Sequence, residues 1–368
     1  MISRFVVAAF VLITLMAPTT SLAAGYHFTD LGVLPGGIYS YGNSINATGA
    51  ITGQGNLSNG DFRAYLYSGG PLVDLGTLGG NSSNATSINA SGQIVGSSLT
   101  ASNEQRAMLY SGGVMQNLGT FLGGETGFSS ARAINDQGQI VGVSSTSSGQ
   151  WHAFLYDNGN LTDLGTLSND PNSDAVAINN NGQIVGISEQ ANFVQHAFLY
   201  DGGVMQNLGT LGGTSSIAAG INDSGEVVGS SRTATNAYHA FMYSGGVMHD
   251  LGTLGGISSF GYGINSLGQV VGQSAKITGS SGFVYTGGVM MDLEPMISNL
   301  PAGWHIVSAQ SINDEGQITG WASKNDQIHA ILLNPVVPEP SSIVLLGVGA
   351  VSLSAIGFSR MRKPSHGL

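Results

Sequence analysis

Short apolar runs, broken by Gly, Asn, Asp and Ser, recur along almost the whole chain in a fixed order. The most regular phrase is an Ile-Asn pair, a Gly a few residues on, and an apolar run that ends in Gly. It begins at Ile45, Ile88, Ile134, Ile178, Ile221, Ile264 and Ile312, 43 to 48 residues apart. A period of that length built from β-formers marks a stacked or blade-like supersecondary unit. The stretch from His196 to Ser230 shows one unit. His196–Tyr200 is a run ended by Asp201-Gly202-Gly203, and Val204–Gly209 is the next. After a Gly/Ser connector come Ile217–Asn222, turned by Asp223-Ser224-Gly225, and Glu226–Gly229. Such Gly-containing turns are hairpin signals, and four short strands per repeat are the content of a propeller blade. The runs are nearly continuous rather than alternating, as in strands covered on both faces. No helical period occurs between the two ends of the chain.

Counting the strands gives the architecture. An Ala-Phe-Leu-Tyr-like strand occurs at Ala64, Ala107, Ala153, Ala197, Ala240, Phe283 and Ala330. An Asp/Asn-Leu strand occurs at Asp30, Asp74, Asn117, Asp163, Asn207, Asp250 and Asp292. The repeat region, residues 26–335, opens with the second kind and ends with the first, so the array is complete but circularly offset. Pairing the two end strands closes it and removes the exposed edges of an open stack. The expectation is an all-β, seven-bladed propeller of four-stranded repeats. Each blade runs from the Ile-Asn strand to the Asp-Leu strand, and residues 26–32 supply the outermost strand of the last blade.

Both ends carry processing signals. Arg4, an apolar run from Phe5 to Met16 and the small residues around Ser21-Leu22-Ala23 predict a signal peptide over residues 1–23, cut by signal peptidase after Ala23 or Ala24. At the other end a linker, residues 336–342, contains Val337-Pro338-Glu339-Pro340. It leads into an apolar segment, 343–359, predicted to be a transmembrane helix, and a basic cytoplasmic tail, 360–368, with Arg360, Arg362 and Lys363. This tail resembles the PEP-CTERM sorting signal. The resemblance implies recognition by an exosortase, removal of the tail, and export to the cell surface or an exopolysaccharide matrix. The repeats resemble the HAF family of extracellular bacterial repeats, through His152-Ala153-Phe154-Leu155-Tyr156, His196-Ala197-Phe198-Leu199-Tyr200 and Asp163-Leu164-Gly165-Thr166-Leu167. Ala64 after Arg63, Phe283 after Gly282 and Ile331 in place of Phe depart from it. That resemblance implies extracellular repeats without a defined activity.

Composition narrows the chemistry. The chain has no Cys, 57 Gly, 8% charged residues and a formal net charge of −11, so disulfide staples and thiolate metal sites are absent and cohesion rests on burial between repeats. An acidic body repels phosphate backbones, which argues against a nucleic-acid partner. His152, His196, His239 and His329 share one repeat position, where bonding to a neighbouring blade is the expectation rather than a shared metal. Asp136, Asp223 and Asp314 read as turn residues, since a calcium loop needs several acids at alternating positions. Met115, Met205, Met248 and Met290 read as core filler. No catalytic motif and no cofactor site is found.

Variation between copies concentrates in the connector before each His-Ala-Phe strand: 101–106, 144–151, 189–195, 231–238, 277–281 and 324–328. Loops on a rigid scaffold carry binding. Arg106, Trp151, Phe193, Tyr238 and Trp304 are the candidate ligand-binding residues, as stacking faces and a guanidinium for a glycan. The favoured expectation is a non-enzymatic surface or matrix protein binding exopolysaccharide or a surface protein. The alternative is a propeller-based polysaccharide lyase or glycoside hydrolase, which needs convergent carboxylates.

Overall fold

The computed structural model describes residues 25–336, apart from 124–126 and 169. The expected signal peptide (1–23), apolar segment (343–359) and basic tail (360–368) lie outside the described residues, as does all but the first residue of the linker. Among the described residues no helix is long and apolar enough to cross a membrane.

Seven four-stranded antiparallel sheets account for the described chain. A lone strand β1 (Tyr26–Asp30) comes first. Blade 1 follows as β2 (Ser40–Ile45), β3 (Ile51–Asn56), β4 (Phe62–Tyr67) and β5 (Val73–Asp74). Blade 2 is β6 (Gly79–Ile88), β7 (Ile94–Thr100), β8 (Gln105–Ser111) and β9 (Val114–Asn117). Blade 3 is β10 (Ser129–Ile134), β11 (Ile140–Ser145), β12 (Trp151–Asp157) and β13 (Asn160–Asp163). Blade 4 is β14 (Asn172–Ile178), β15 (Ile184–Glu189), β16 (Gln195–Asp201) and β17 (Val204–Asn207). Blade 5 is β18 (Gly212–Ile221), β19 (Val227–Thr233), β20 (Tyr238–Ser244) and β21 (Val247–Asp250). Blade 6 is β22 (Ser259–Ile264), β23 (Val270–Ala275), β24 (Ser280–Thr286) and β25 (Val289–Asp292). Blade 7 is β26 (His305–Ile312), β27 (Ile318–Lys324), β28 (Gln327–Pro335) and, from the other end of the chain, β1. The fold is a seven-bladed β-propeller, with blades in the predicted register.

The core lies between blades. Phe154 of blade 3 packs with Val95, Ala107 and Leu118 of blade 2. Phe198 of blade 4 packs with Val141, Ala153 and Leu164 of blade 3. The second strand of each blade, such as β11 and β15, is therefore covered on both sides, which is why its sequence does not alternate, whereas fourth strands such as β13 and β17 stay largely exposed. The Gly that ends each apolar run is fixed by this packing. A Cβ at Gly142 would stand 2.1 Å from the Ser130 carbonyl oxygen and 2.9 Å from the Phe154 ring, and Gly186 is hemmed in likewise by Asp174 and Phe198.

Buried serines join the blades. Ser83 Oγ accepts the Ala64 N–H at 2.9 Å and donates to the Gly76 carbonyl at 2.6 Å. Ser129, Ser173, Ser216 and Ser259 repeat both bonds. Ser40 repeats them across the closure, to Ala330 and Gly32. The hydroxyl is fully satisfied each time, so its burial carries little desolvation cost.

Closure pairs β1 with β28, from Tyr26 opposite Pro335 to Asp30 opposite Ile331. The longer connector between blades 6 and 7 adds a clamp. Asn299 Oδ1 accepts the Phe28 N–H at 2.7 Å while its Nδ2 donates to the Phe28 carbonyl at 3.1 Å. Trp304 lies 5.4 Å from Phe28 and 5.3 Å from His329, centroid to centroid.

Candidate functional site

Strand direction sorts the connections into two ends of the ring. The turns from first to second strand and the hairpins from third to fourth lie at one, the turn end. The second-to-third loops and the blade-to-blade connectors lie at the other, the loop end.

The turn end holds a closed belt of asparagines. Asn46 Nδ2 donates to the Asn89 carbonyl, Asn89 to Asn135, Asn135 to Asn179, Asn179 to Asn222, Asn222 to Asn265, Asn265 to Asn313, and Asn313 back to Asn46. All seven bonds are 3.0–3.1 Å. In six copies the second Nδ2 hydrogen goes to the Gln or Glu four residues on, at 2.8 Å. Turn chemistry alone does not demand this. Any of Asn, Asp, Gly or Ser suits such a turn, whereas the belt needs an amide donor in every blade. The sequence signal was the invariance of Asn beside a following residue that varies freely.

That following residue forms a partial second belt at the channel mouth. Asp136 Oδ1 accepts the Ala90 N–H, Asp223 Oδ1 the Asn180 N–H and Asp314 Oδ1 the Ser266 N–H, at 2.8–2.9 Å. These carboxylates thus cap the turn of the preceding blade rather than their own. Among the described residues no group of three or more His, Asp or Glu is placed to hold a metal ion.

The histidines differ from expectation. Three of the four bond within their own blade, because Asp163, Asp250 and Asp30 pair with Phe154, Phe241 and Ile331, two residues beyond His152, His239 and His329 on the third strand. At His196 the matching position is Asn207. His152 Nδ1 lies 2.8 Å from Asp163, His239 Nδ1 2.8 Å from Asp250, and His329 Nδ1 3.0 Å from Asp30. The same carboxylate takes the N–H two residues on, from Gly165, Gly252 and Gly32. Each of these glycines has φ of 73–74°, which explains the Asp-Leu-Gly phrase. Burial raises the Asp30 pKa, but the hydrogen bonds from His329 and Gly32 and the charges of His329 and Lys324 outweigh it, and the net shift is downward.

At the loop end the five candidate residues separate. Arg106 is fully buried. Its guanidinium bonds the Gly127 carbonyl and the Glu104 carboxylate, so it is an anchor and presents nothing to a ligand. Trp304 is 8% exposed and belongs to the closure clamp, with Lys324 Nζ 5.7 Å from its ring. Tyr238 is spent on its neighbours: its hydroxyl meets Ser215 Oγ at 3.2 Å, Arg232 lies 4.5 Å over the ring and Phe260 5.8 Å away. Phe193 stands out at a loop tip, 82% exposed, with φ of 65°. Trp151 is 45% exposed.

Trp151 lines a cleft of about 290 Å³ between blades 3 and 4, with Phe128, Arg132, Val143, Asp174, Ile187, Glu189 and Gln195. Phe193 sits in the loop that joins Glu189 to Gln195. Arg132 grips Asp174 across the blade boundary, Nη2 to Oδ2 at 2.8 Å and Nε to both oxygens at 3.2–3.3 Å. Burial pushes the Asp174 carboxyl above its ordinary pKa, against the opposing pull of Arg132. The backbone N–H of Trp151 donates to Asn172 Oδ1 at 3.2 Å, and Gln195 Nε2 donates to Glu189 Oε2 at 2.9 Å. Arg132 and Asp174 were legible only as charges on apolar strands. Their juxtaposition depends on adjacent first strands, which spacing within one repeat does not show.

Residues 336–363 match the PEP-CTERM protein-sorting motif. The motif implies export, exosortase processing and C-terminal cleavage at the cell envelope. No curated protein matches the chain. Among solved structures, a puromycin-hydrolysing peptidase of Mycobacterium tuberculosis is similar, with TM-score 0.57 and 10% identity, over 86% of this chain and 52% of that one. A puromycin hydrolase is similar with TM-score 0.54 and 11% identity, over 80% and 52%. The chain spans about half the length of these structures, and at such identity the likeness is one of fold alone.

Proposed function

We propose that the protein is an exported, non-enzymatic binding module of the cell surface or exopolysaccharide matrix, released from its C-terminal sorting signal by an exosortase. In this reading the first 23 residues are a signal peptide removed by signal peptidase. The apolar segment 343–359 holds the chain in the membrane until processing, and the repeats belong with the extracellular HAF type. The observation that carries the reading is the sorting motif joined to a propeller whose loop end diverges from blade to blade. The belt and serine bridges fix the scaffold, and the divergent loops are free of that duty.

The lyase or hydrolase alternative needs two free carboxylates, or a His and a carboxylate, converging on one face. Asp136, Asp223 and Asp314 hold the turn of the neighbouring blade, Asp30, Asp163 and Asp250 a histidine, and Asp174 an arginine. Glu189, held by amides alone, has among the described residues no second free carboxylate or histidine beside it in the cleft, which favours binding over catalysis. The test is retention of the tagged protein on the native extracellular matrix, together with the matrix phenotype of a deletion strain. Retention with altered matrix supports the reading. Absence of both overturns it, and release of reducing or unsaturated sugar ends would favour the alternative.

A further inference from the structure

We propose that the cleft between blades 3 and 4 binds one neutral pyranose ring of a polysaccharide, stacked on Trp151. The proposal rests on the loop end being the binding face and names the ligand class there. Four observations carry it.

The first is a difference between copies of one repeat position. Trp151 and Tyr238 both open the third strand of their blades, yet Tyr238 is enclosed by Ser215, Arg232 and Phe260. Among the described residues Trp151 makes no ring or cation contact, and it is nearly half exposed. A large aromatic left open beside a concavity is an unfilled hydrophobic surface.

The second is size. About 290 Å³ lies at the small end of ligand pockets, which run from roughly 300 to 1,000 Å³, and suits a single ring rather than an oligosaccharide.

The third is the polar equipment. Arg132 lines the cleft, and among the described residues its Nη1 has no hydrogen-bond partner while Nε and Nη2 hold Asp174. Asp174, Glu189 and Gln195 add acceptors fixed by their own bonds. A few oriented donors and acceptors around an aromatic plate match a ring bearing several hydroxyls.

The fourth is charge. Arg132 neutralises Asp174, but Glu189 is held only by the neutral amides of Gln195 and Asn172. The cleft therefore carries a net negative charge on a chain of net charge −11, which selects against uronic-acid polymers.

The decisive experiment is affinity electrophoresis of the full-length chain in mild detergent, through gels containing dextran, galactomannan or xyloglucan, with alginate as the anionic comparison. Wild type is expected to be retarded by at least one neutral polymer and not by alginate. Trp151→Ala is expected to weaken that retardation about tenfold, the loss of one stacking contact, and Trp151→Phe to restore most of it. Trp151 is a surface residue, so the Ala variant should keep the wild-type circular dichroism and melting temperature. The proposal fails if no neutral polymer retards wild type, if alginate is preferred, or if Trp151→Ala binds as well as wild type. Binding to native matrix that survives Trp151→Ala would overturn the cleft and leave the broader binding role standing. Loss of matrix binding by wild type would overturn that role.

Discussion

Blade 7 takes part in the same asparagine belt and serine bridging as the other blades and differs from them in how its fourth strand is tied in. In the continuous blades the fourth strand follows the third through a short turn, so the two are held together covalently. In blade 7 the fourth strand is β1, some three hundred residues away in sequence. Yet the Ser40 bridge, the His329–Asp30 pair and the Asn313-to-Asn46 bond of the belt copy their counterparts elsewhere. The repeat itself closes the ring. What the closing blade adds is the Asn299 and Trp304 clamp, found where a strand without a hairpin tether must be held by contacts alone. The lesson is that loop-closure entropy, supplied in six blades by a turn, is met in the seventh by extra burial and two further hydrogen bonds.

The strongest way to break the comparison is to delete residues 26–32. That removes the outer strand of blade 7 and bares the β28 edge. Loss of cooperative unfolding and aggregation on purification are expected, measured by thermal melting and size-exclusion chromatography. Trp304→Ala should come next, at about 3–5 kcal/mol for a buried aromatic. Asn299→Ala should cost about 1–3 kcal/mol through the unpaired Phe28 backbone groups. Both are read from denaturant midpoints.

The belt gives a sharper test. Asn313→Ala lies at the closure and Asn135→Ala within the continuous part, but each removes the same bonds. Both should cost about 1–3 kcal/mol and agree within about 0.5 kcal/mol. A much larger loss at Asn313 would make the closure a special lock rather than one more repeat.

The smallest effect concerns acid. Asp30 has a folded pKa below its unfolded one. Its contribution is therefore present above the unfolded carboxylate range and is lost as pH falls through the depressed folded value. Wild type should lose stability relative to Asp30→Asn as the pH drops below about 4, and the two should run parallel above it. Asn serves at this position in Asn117 and Asn207, so the variant should fold.

Much of this was legible in the sequence because repetition exposes packing. Seven Ile-Asn strands and seven Asp/Asn-Leu strands gave the blade count, the register and the offset of the two ends. Arg106 and Trp304 were misread for a shared reason. A large polar or aromatic residue beside a variable loop looks the same in sequence whether it faces solvent or plugs a gap. Gly127, from the next blade-to-blade connector, and the nearby Glu104 hold Arg106, while Phe28, from the opposite end of the chain, and His329 of β28 cover Trp304. The Arg132–Asp174 pair was missed because it joins two repeats at positions where other copies carry Thr86, Val176 or Phe260. His152, His239 and His329 were assigned to the wrong neighbour because strand pairing within a blade, to an Asp eleven residues on or, for His329, at the other end of the chain, outranks contact between blades.

Closure by the two ends is open to a direct chemical measurement. His27 stands opposite Asn334 in the β1–β28 pairing, and the chain has no cysteine of its own, so His27→Cys with Asn334→Cys introduces one defined pair. Under mild oxidation the exported protein should form a monomer with no free thiol and a single linked peptide joining positions 27 and 334. Two free thiols in the folded monomer, or a disulfide found only between chains, would contradict a ring closed in this way.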